Sequence, residues 1–225
     1  MKAAPIRGNG AMLLYYDIVP EAIGDHDDWH THEHFPERLS IPGFQRASRW
    51  VAVAGGPRYL VMYEVSEVRV LSDAPYLERL NNPTPWTSRM MANFRGMVRG
   101  FCGIAARCGA GLGHELLSIR YSPVHGREVE PREWLQAMLP DIAARPGMAS
   151  AFMLEPAAQP PMTKEQRMRG KDADLPCVLL LTGYDARSLE KVGETQLSTA
   201  QFEQRGASVV ARGGYQLNLV QTEGE

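Results

Sequence analysis

Residues 29–44 read WHTHEHFPERLSIPGF. Residues 29–39 are typical of a helix, and Pro42-Gly43 marks a turn into an apolar strand that starts at Phe44. A similar pair of anchors recurs later, since Trp134 precedes Pro146-Gly147 by twelve residues and Trp29 precedes Pro42-Gly43 by thirteen. The same helix-to-strand junction therefore occurs twice, which indicates a duplicated structural unit.

The apolar and polar pattern around both anchors predicts the element order βαββαβ in each half of the chain. In the first half we predict strands at 12–19, 44–53, 59–65 and 94–106, with helices at 25–39 and 67–80. In the second half we predict strands at 114–121, 148–155, 176–184 and 208–220, with helices at 130–144 and 187–204. The glycine-rich segment 109–113 divides units 1–110 and 111–225, and residues 156–174 are predicted to be a surface excursion.

Tandem βαββαβ units resemble the dimeric α/β-barrel superfamily in a fused, single-chain form. Residues 29–39 and the turn at Pro42-Gly43 look like the histidine-bearing first helix and proline–glycine turn of EthD-like proteins. The resemblance implies an α+β fold in which two tandem ferredoxin-like units form a pseudo-dimeric α/β barrel. The superfamily also includes quinone-forming monooxygenases, muconolactone isomerase and chlorite dismutase, so the resemblance implies a fold more directly than an activity.

Composition excludes several classes of function. The net charge is −2 and the basic residues are scattered, so we expect neither a nucleic-acid partner nor an anionic membrane surface. The three cysteines form no C-x-x-C pair, which favours a reducing compartment and argues against a disulfide scaffold or a structural zinc site. The apolar run at 11–16 is too short for a signal sequence or a membrane span. We therefore expect a cytoplasmic protein.

Comparison of the two predicted first helices identifies the candidate site. Setting Trp29 on Trp134 aligns polar residues of the first helix with apolar residues of the second: His30 with Leu135, Glu33 with Met138, His34 with Leu139, and Glu37 with Ile142. Burying unpartnered imidazoles and carboxylates costs a few kcal/mol each, so this face is predicted to line a cavity or to hold a ligand. The alternative is a register shifted by one residue, with these groups on the solvated face.

The histidine cluster suggests three kinds of chemistry. One is acid–base catalysis, with His30 or His34 moving a proton and Glu33 orienting it. Another is metal binding, since His26, His30 and His34 recur every four residues. The third is heme ligation as in some superfamily members, for which no candidate ligand is evident. No nucleotide-binding motif is recognisable, and the leading hypothesis uses no cofactor and no metal.

Four other residues are candidates for substrate binding. Arg49 and Tyr63 are predicted to bind an anionic or carbonyl oxygen of the substrate. The alternative for each is a side chain at the edge of the sheet in contact with water. Tyr16 lies on the first strand, and Trp86 follows a double-proline loop that could form a lid or a plug for the barrel end.

The leading hypothesis is therefore an enzyme acting on a largely apolar, aromatic-derived oxygenated molecule, by isomerisation, lyase chemistry or cofactor-independent oxygenation. A metal-dependent enzyme and a non-catalytic binding module are the alternatives. The second unit is predicted to be structural, and association into a homodimer is left open.

Overall fold

The computed structural model describes residues 6–170 and 172–224. The first half contains, in order, β1 (Gly10–Ile18), α1 (Ile23–Trp29), a π-helical turn (His30–His34), α2 (Phe35–Leu39), β2 (Phe44–Gly55), β3 (Tyr59–Val65), α3 (Ala74–Asn81), α4 (Pro85–Met91) and β4 (Phe94–Gly109). Short 3₁₀ turns precede α1 at Pro20–Ala22 and α3 at Val68–Ser72. The predicted helix at 67–80 is thus a 3₁₀ turn followed by a shorter α-helix.

The second half repeats this order with one additional segment. It contains β5 (Glu115–Pro123), α5 (Val129–Ala143), β6 (Met148–Ala157), α6 (Lys164–Arg169), β7 (Ala173–Asp174), β8 (Cys177–Gly183), α7 (Ala186–Glu194), α8 (Thr199–Gln204) and β9 (Ala207–Thr222). The predicted helix at 187–204 is two helices, because α8 starts afresh at Ser198, whose side chain caps it. None of the described helices is long and apolar enough to cross a membrane.

The strands of both halves form one closed sheet. Its order is β1-β3-β2-β9-β5-β8-β6-β4, and β4 pairs with β1 to close the ring, while β7 adds a short parallel pairing to β4. Each half contributes four of these strands, and the junctions between halves are β2 with β9 and β4 with β6. The α+β barrel predicted from the sequence is confirmed.

Alternation along the strands separates the barrel interior from the helix-covered outer face. On β1, Leu13 and Tyr15 belong to the interior core, whereas Met12 and Tyr16 belong to a second core beneath the helices of the first half. A third apolar cluster lies under α5, α7 and α8 in the second half. The layer beneath the helices of the first half is the one that contains the candidate site.

The first helix differs from its counterpart α5 by a single extra residue. Trp29 precedes Pro36 by seven residues, whereas Trp134 precedes Pro140 by six, and the interval from each of these prolines to the next Pro-Gly turn is the same. The extra residue lies in the π-helical turn, where the Phe35 backbone N–H donates to the His30 carbonyl five residues earlier. Pro36 itself has no N–H to offer and crowds the preceding turn, which favours such a local widening.

Because of this turn, the residues of α2 are shifted by one position from the predicted alignment with α5. Glu37 was expected to align with the buried Ile142, but Arg38 takes the buried position and is 1% exposed. Its guanidinium lies 2.7 Å from the Glu165 carboxylate on α6. The segment 156–174 is therefore more than the predicted surface excursion, since α6 packs against the first half and buries an ion pair there.

Candidate active site

The imidazole row of the first helix faces the sheet. His26, His30 and His34 are 0%, 2% and 7% exposed, and successive ring centroids are 5.1 Å and 5.5 Å apart. Residues four apart share one face of a helix, and the π turn brings Phe35 to that face as well. The three rings therefore lie in the layer between the helix and β1, β3 and β4.

Aromatic side chains surround the three imidazoles. The Trp29 ring lies 5.3 Å from His30 and 4.3 Å from His34, and Phe35 lies 4.2 Å from His30. On the sheet side, the Tyr63 ring packs 5.4 Å from Phe35. The environment is apolar but has polar edges, as a site for an aromatic ligand requires.

His30 and Tyr63 form the polar contact at the centre of this layer. The Nε2 atom of His30 lies 3.2 Å from the Tyr63 hydroxyl. Among the described residues, the Nδ1 atoms of His30 and His34 are buried and have no hydrogen-bond partner. A carboxylate oxygen of Glu37 lies 3.9 Å from His34 Nδ1, too far for a hydrogen bond. Unsatisfied buried polar atoms are uncommon in folded proteins, so two on adjacent rings single out this layer.

Burial keeps these imidazoles neutral. It lowers the pKa of His30 well below its ordinary value, and the charges of neighbouring histidines and arginines add to the effect. Burial lowers the pKa of His34 in the same way, assisted by Arg38. Burial also raises the pKa of Tyr63 well above its ordinary range. The site thus pairs neutral bases with a protonated phenol at neutral pH.

His26 belongs to a second hydrogen-bonded group. Its Nε2 atom lies 3.0 Å from the Tyr16 hydroxyl and its Nδ1 atom lies 2.9 Å from Asp27 Oδ1, which also accepts a hydrogen bond of 2.8 Å from Tyr59. Of these residues, Tyr16 and His26 were candidates from the sequence, whereas Asp27 and Tyr59 were not. The signal available for Asp27 was its position beside His26 in the four-residue histidine repeat.

Glu33 does not orient a histidine. Its Oε1 atom accepts hydrogen bonds from the Thr84 hydroxyl at 2.5 Å and the Thr87 hydroxyl at 3.2 Å, both at the start of α4. The Thr87 hydroxyl also accepts from the Trp29 indole N–H at 3.1 Å. The carboxylate that contacts an imidazole of the row at hydrogen-bond distance is Asp27, and the predicted partnership of Glu33 with His30 or His34 is wrong.

Arg49 is buried, but its guanidinium is already occupied. It donates to Asn218 Oδ1 at 2.8 Å, to the Asp27 carbonyl at 3.0 Å and to the Thr31 hydroxyl at 3.4 Å. These contacts hold α1 against β2 and β9. The prediction that Arg49 anchors a substrate oxygen therefore has no support in its contacts, whereas the same prediction for Tyr63 agrees with its position beside His30.

Trp86 lies in a helix and not in a loop. Thr84 caps α4 by accepting from the Thr87 N–H, and Pro85 occupies the first turn, where its missing N–H costs nothing. The half-buried Trp86 ring packs on the aromatic layer from outside, and its indole N–H donates to Asp25 at 3.0 Å. The double-proline segment thus begins a helix that covers the first one.

Two nitrogen atoms of the imidazole row are engaged by tyrosines. The Nε2 atoms of His26 and His30 lie 3.0 Å from the Tyr16 hydroxyl and 3.2 Å from the Tyr63 hydroxyl, respectively. Within residues 6–170 and 172–224, no group of three or more His, Cys, Asp or Glu side chains is arranged to hold a metal ion. The hypothesis of a metal bound by His26, His30 and His34 stays a prediction, which elemental analysis of protein purified without a histidine tag would test.

A small pocket adjoins the aromatic layer at Phe94. It has a volume of about 260 Å³, and Phe94 lines it together with Met97, Arg169 and Asp172. The Phe94 ring also lies 4.8 Å from the Tyr16 ring and 6.0 Å from the His26 ring. Phe94 thus contacts both the pocket and the aromatic layer, a position that the sequence did not indicate.

Comparisons with known proteins agree with this architecture. An anthrone oxidase-like protein superposes with a TM-score of 0.67 at 11% identity, and the alignment covers 100% of this chain and 98% of that chain. A candidate monooxygenase from Fusobacterium nucleatum gives 0.62 at 7% identity and 96% coverage of both chains. A candidate chlorite dismutase gives 0.57 at 10% identity, with coverage of 93% and 94%. No protein-family model matches the sequence, and no curated protein matches it.

These likenesses show the fold. The chain is a ferredoxin-like α/β barrel of the dimeric α/β-barrel type, and the barrel accounts for nearly its whole length. At such low identity the neighbours' activities do not transfer, so the chemistry has to be argued from the residues of the site.

Proposed function

We propose that the protein is an enzyme that acts on a largely apolar, aromatic-derived molecule bearing an oxygen substituent. Its site is the layer between the first helix and the sheet, where His30 accepts a proton and His34 and Tyr63 bind the substrate oxygen. Among isomerisation, lyase chemistry and oxygenation, the proposal favours oxygenation without a cofactor, which is consistent with neighbours named as oxidase-like and monooxygenase proteins.

The proposal depends on the two unpartnered nitrogen atoms, His30 Nδ1 and His34 Nδ1. In the second half Leu135 aligns with His30, and Leu139 aligns with Phe35 once the extra residue of the π turn is allowed for; both leucines are fully buried without any polar cost, and His34 has no buried counterpart there. Leaving a buried polar group unpaired costs about 1–3 kcal/mol. The unpaired nitrogen atoms therefore destabilise the first half, and the leucines do not destabilise the second. A bound substrate oxygen and its acidic hydrogen would supply the missing partners.

The chemistry follows from the tautomer of His30. When Nε2–H donates to Tyr63, Nδ1 presents a lone pair and can remove a proton from a carbon activated by a neighbouring carbonyl. The electron pair left on that carbon adds to dioxygen and gives a hydroperoxide. Loss of the second hydrogen from the same carbon then breaks the O–O bond. One oxygen atom remains as a ketone, and the other leaves as water with both hydrogens.

Some finer expectations belong to this proposal. We infer that the two halves arose by duplication, which the similar spacing of tryptophan, proline and Pro-Gly turn in both halves supports, with one residue of difference. We also retain the EthD-like resemblance of the first helix. A cytoplasmic location and a small-molecule substrate are also part of the proposal, and so is the structural role of the second half. Whether two chains associate into a homodimer is a separate expectation that sedimentation of the purified protein would test.

Anthrone is a suitable test substrate because it carries an acidic methylene group beside aromatic rings and a ketone. We expect wild-type protein in air to convert anthrone to anthraquinone with uptake of one O₂ per turnover. His30→Gln should lower kcat by about 10²–10⁴-fold, the usual contribution of a general base. The matched control is His32→Gln, which alters an exposed residue of the same turn.

Three outcomes would contradict the proposal. The first is wild-type protein that neither binds nor oxidises anthrone. The second is binding without oxygen uptake, which would favour a non-catalytic binding module. The third is a His30→Gln variant that is folded and as active as His32→Gln, because the base would then lie elsewhere.

A further inference from the structure

Tyr16, His26 and Asp27 form a continuous chain of hydrogen bonds from the core to the surface. The Tyr16 hydroxyl lies 3.0 Å from His26 Nε2, and His26 Nδ1 lies 2.9 Å from Asp27 Oδ1. Tyr16 is 1% exposed and His26 is 0% exposed, whereas the Asp27 side chain is 32% exposed. The chain thus links a fully buried phenol to a carboxylate in contact with water.

The surroundings of Asp27 determine which atoms carry the protons. Burial alone would raise the pKa of Asp27, but hydrogen bonds from His26 and Tyr59 and the charge of Arg49, 3.5 Å away, outweigh it and lower this pKa. The carboxylate is therefore ionised and accepts the proton on His26 Nδ1. The His26 ring is neutral because burial lowers its pKa, assisted by the charges of Arg49 and Arg58. Its Nε2 atom therefore accepts from Tyr16.

We propose that Tyr16, His26 and Asp27 form a proton relay that ionises a phenolic hydroxyl of the substrate and delivers the proton to solvent. This inference rests on the proposed function and narrows it, since it names the substrate class as hydroxylated aromatic molecules. The arrangement follows the logic of catalytic triads, in which a carboxylate fixes the tautomer of the imidazole that receives the proton.

Each step moves one proton in the same direction. Tyr16 passes its hydroxyl proton to His26 Nε2 while the proton on His26 Nδ1 moves to Asp27, which releases it to water. The resulting Tyr16 oxyanion takes the proton of the substrate hydroxyl and is neutral again. The substrate becomes a phenolate, and His26 returns to its starting tautomer by ring rotation or proton exchange through water. Burial raises the pKa of Tyr16 well above its ordinary range, so the Tyr16 oxyanion is a stronger base than the substrate phenolate and takes the substrate proton.

The position of Tyr16 gives the relay access to a ligand. The Tyr16 ring packs 4.8 Å from Phe94, which lines the neighbouring pocket of about 260 Å³. A small aromatic ring that displaces Phe94 would therefore lie against the Tyr16 hydroxyl.

The relay residues are confined to the half that carries the histidine row. Counting back from Trp134, the positions equivalent to His26 and Asp27 are Pro131 and Arg132. Arg132 instead forms a surface ion pair with Glu155 at 2.7 Å. The second half therefore has no equivalent route, in agreement with the structural role proposed for it.

The test uses 4-nitrophenol, whose phenolate absorbs visible light and whose neutral form does not. The ionisation midpoint of the bound probe is measured by titrating its spectrum in wild type, Asp27→Asn and Tyr16→Phe. In the wild type this midpoint should lie below that of the free probe. Tyr16→Phe should raise the midpoint of the bound probe by about 1–3 pH units, because the phenolate loses its hydrogen-bond donor. Asp27 carries the same charge as the phenolate, so its part in the relay is measured as a rate: after a rapid rise in pH, the bound probe should ionise about 10²-fold more slowly in Asp27→Asn than in the wild type. The matched control, Asp28→Asn, changes an exposed neighbour and should leave the midpoint unchanged.

The outcomes separate the relay from a structural role and from the proposed base. An Asp27→Asn variant whose bound probe ionises at the wild-type rate after the rise in pH would overturn the relay, as would a wild type that does not bind the probe. If Asp27→Asn fails to fold, Tyr16→Phe alone decides, since it keeps the ring and removes only the hydroxyl. His30→Gln should abolish anthrone turnover but leave the bound probe's midpoint unchanged, so either hypothesis can fail without the other.

Discussion

The backbone N–H of Phe35 donates to the carbonyl oxygen of His30, five residues before it. This hydrogen bond closes a π turn and allows two consecutive residues, His34 and Phe35, to be buried on the same side of the helix. Consecutive residues of a regular α-helix are about 100° apart around its axis, and the wider π turn brings both side chains toward the sheet. The single extra residue thus adds an imidazole to a core that already contains a full apolar stripe, and π turns of this kind are frequent at functional sites.

Deletion of His32 should convert the turn to a regular α-helix with the Trp-to-Pro spacing of α5. Because His32 is exposed and the helix on either side keeps its orientation, we expect the variant to fold with an unchanged or higher Tm. His34 should rotate away from the sheet, and anthrone affinity should fall at least tenfold, about 1.4 kcal/mol. Calorimetric binding checks this, with His32→Ala as the control that keeps the turn. Unchanged affinity in the deletion variant would show that the π turn does not shape the site.

Stability should depend on pH through the buried imidazoles. Their pKa values are lowered in the folded protein, so the unfolded chain takes up protons first as the pH falls through its ordinary histidine pKa of about 6.5. The free energy of unfolding should therefore be at its maximum above about pH 6.5, as far as these histidines determine it, and should decrease below that pH.

Each buried histidine can contribute up to about 1.4 kcal/mol per pH unit to the slope of the free energy of unfolding against pH. His34→Leu should make this slope shallower in denaturant titrations, whereas His125→Gln should leave it unaltered because that side chain is fully exposed. Equal slopes for wild type and His34→Leu would mean that His34 can be protonated in the folded state.

Phe94→Leu should open the route from the pocket to the aromatic layer. The smaller side chain enlarges the pocket of about 260 Å³ and should speed association of anthrone severalfold in stopped-flow measurements. Phe202→Leu, in the fully buried core of the second half, is the matched control with a similar loss of stability, at most about 3 kcal/mol. Equal association rates for the two variants would exclude Phe94 as the barrier.

Glu165→Ala should destabilise the contact between α6 and the first half. Arg38 and Glu165 side chains are 2% and 6% exposed and 2.7 Å apart, and loss of the carboxylate leaves a buried guanidinium with only the more distant Glu37. A cost of about 3–5 kcal/mol is expected, measured by chemical denaturation. Arg38→Met combined with Glu165→Leu should recover most of it. Glu130→Ala, which breaks an exposed ion pair, should have no measurable effect.

The sequence was sufficient to predict the barrel because its element order and the Trp29 and Trp134 junctions depend on local patterns. It also identified the inward face of the first helix, since periodicity assigns His30 and His34 to one stripe. It did not identify the partners of those residues. Glu33 lies on the expected helix but hydrogen-bonds to α4, a helix that was not predicted because Pro83 precedes it and Pro85 is its first residue.

Other parts of the site depend on contacts between distant segments. Glu165 forms an ion pair with Arg38, from which it is 127 residues away in the sequence. Phe94 on β4 packs against Tyr16 on the neighbouring strand β1. No local pattern encodes such pairings, because they arise only when the strands close into a ring. The π turn is an intermediate case, since the one-residue difference in spacing was visible but its location within the helix was not.

The most direct test of the account is nitrogen-15 NMR of the histidine side chains during titration with anthrone. If the unpartnered Nδ1 atoms of His30 and His34 bind the ligand, their resonances should shift with the same midpoint, while those of the exposed His125 remain constant. Nδ1 resonances of His30 and His34 that do not move at a saturating concentration of bound anthrone would contradict the claim that the imidazole face of the first helix is the active site.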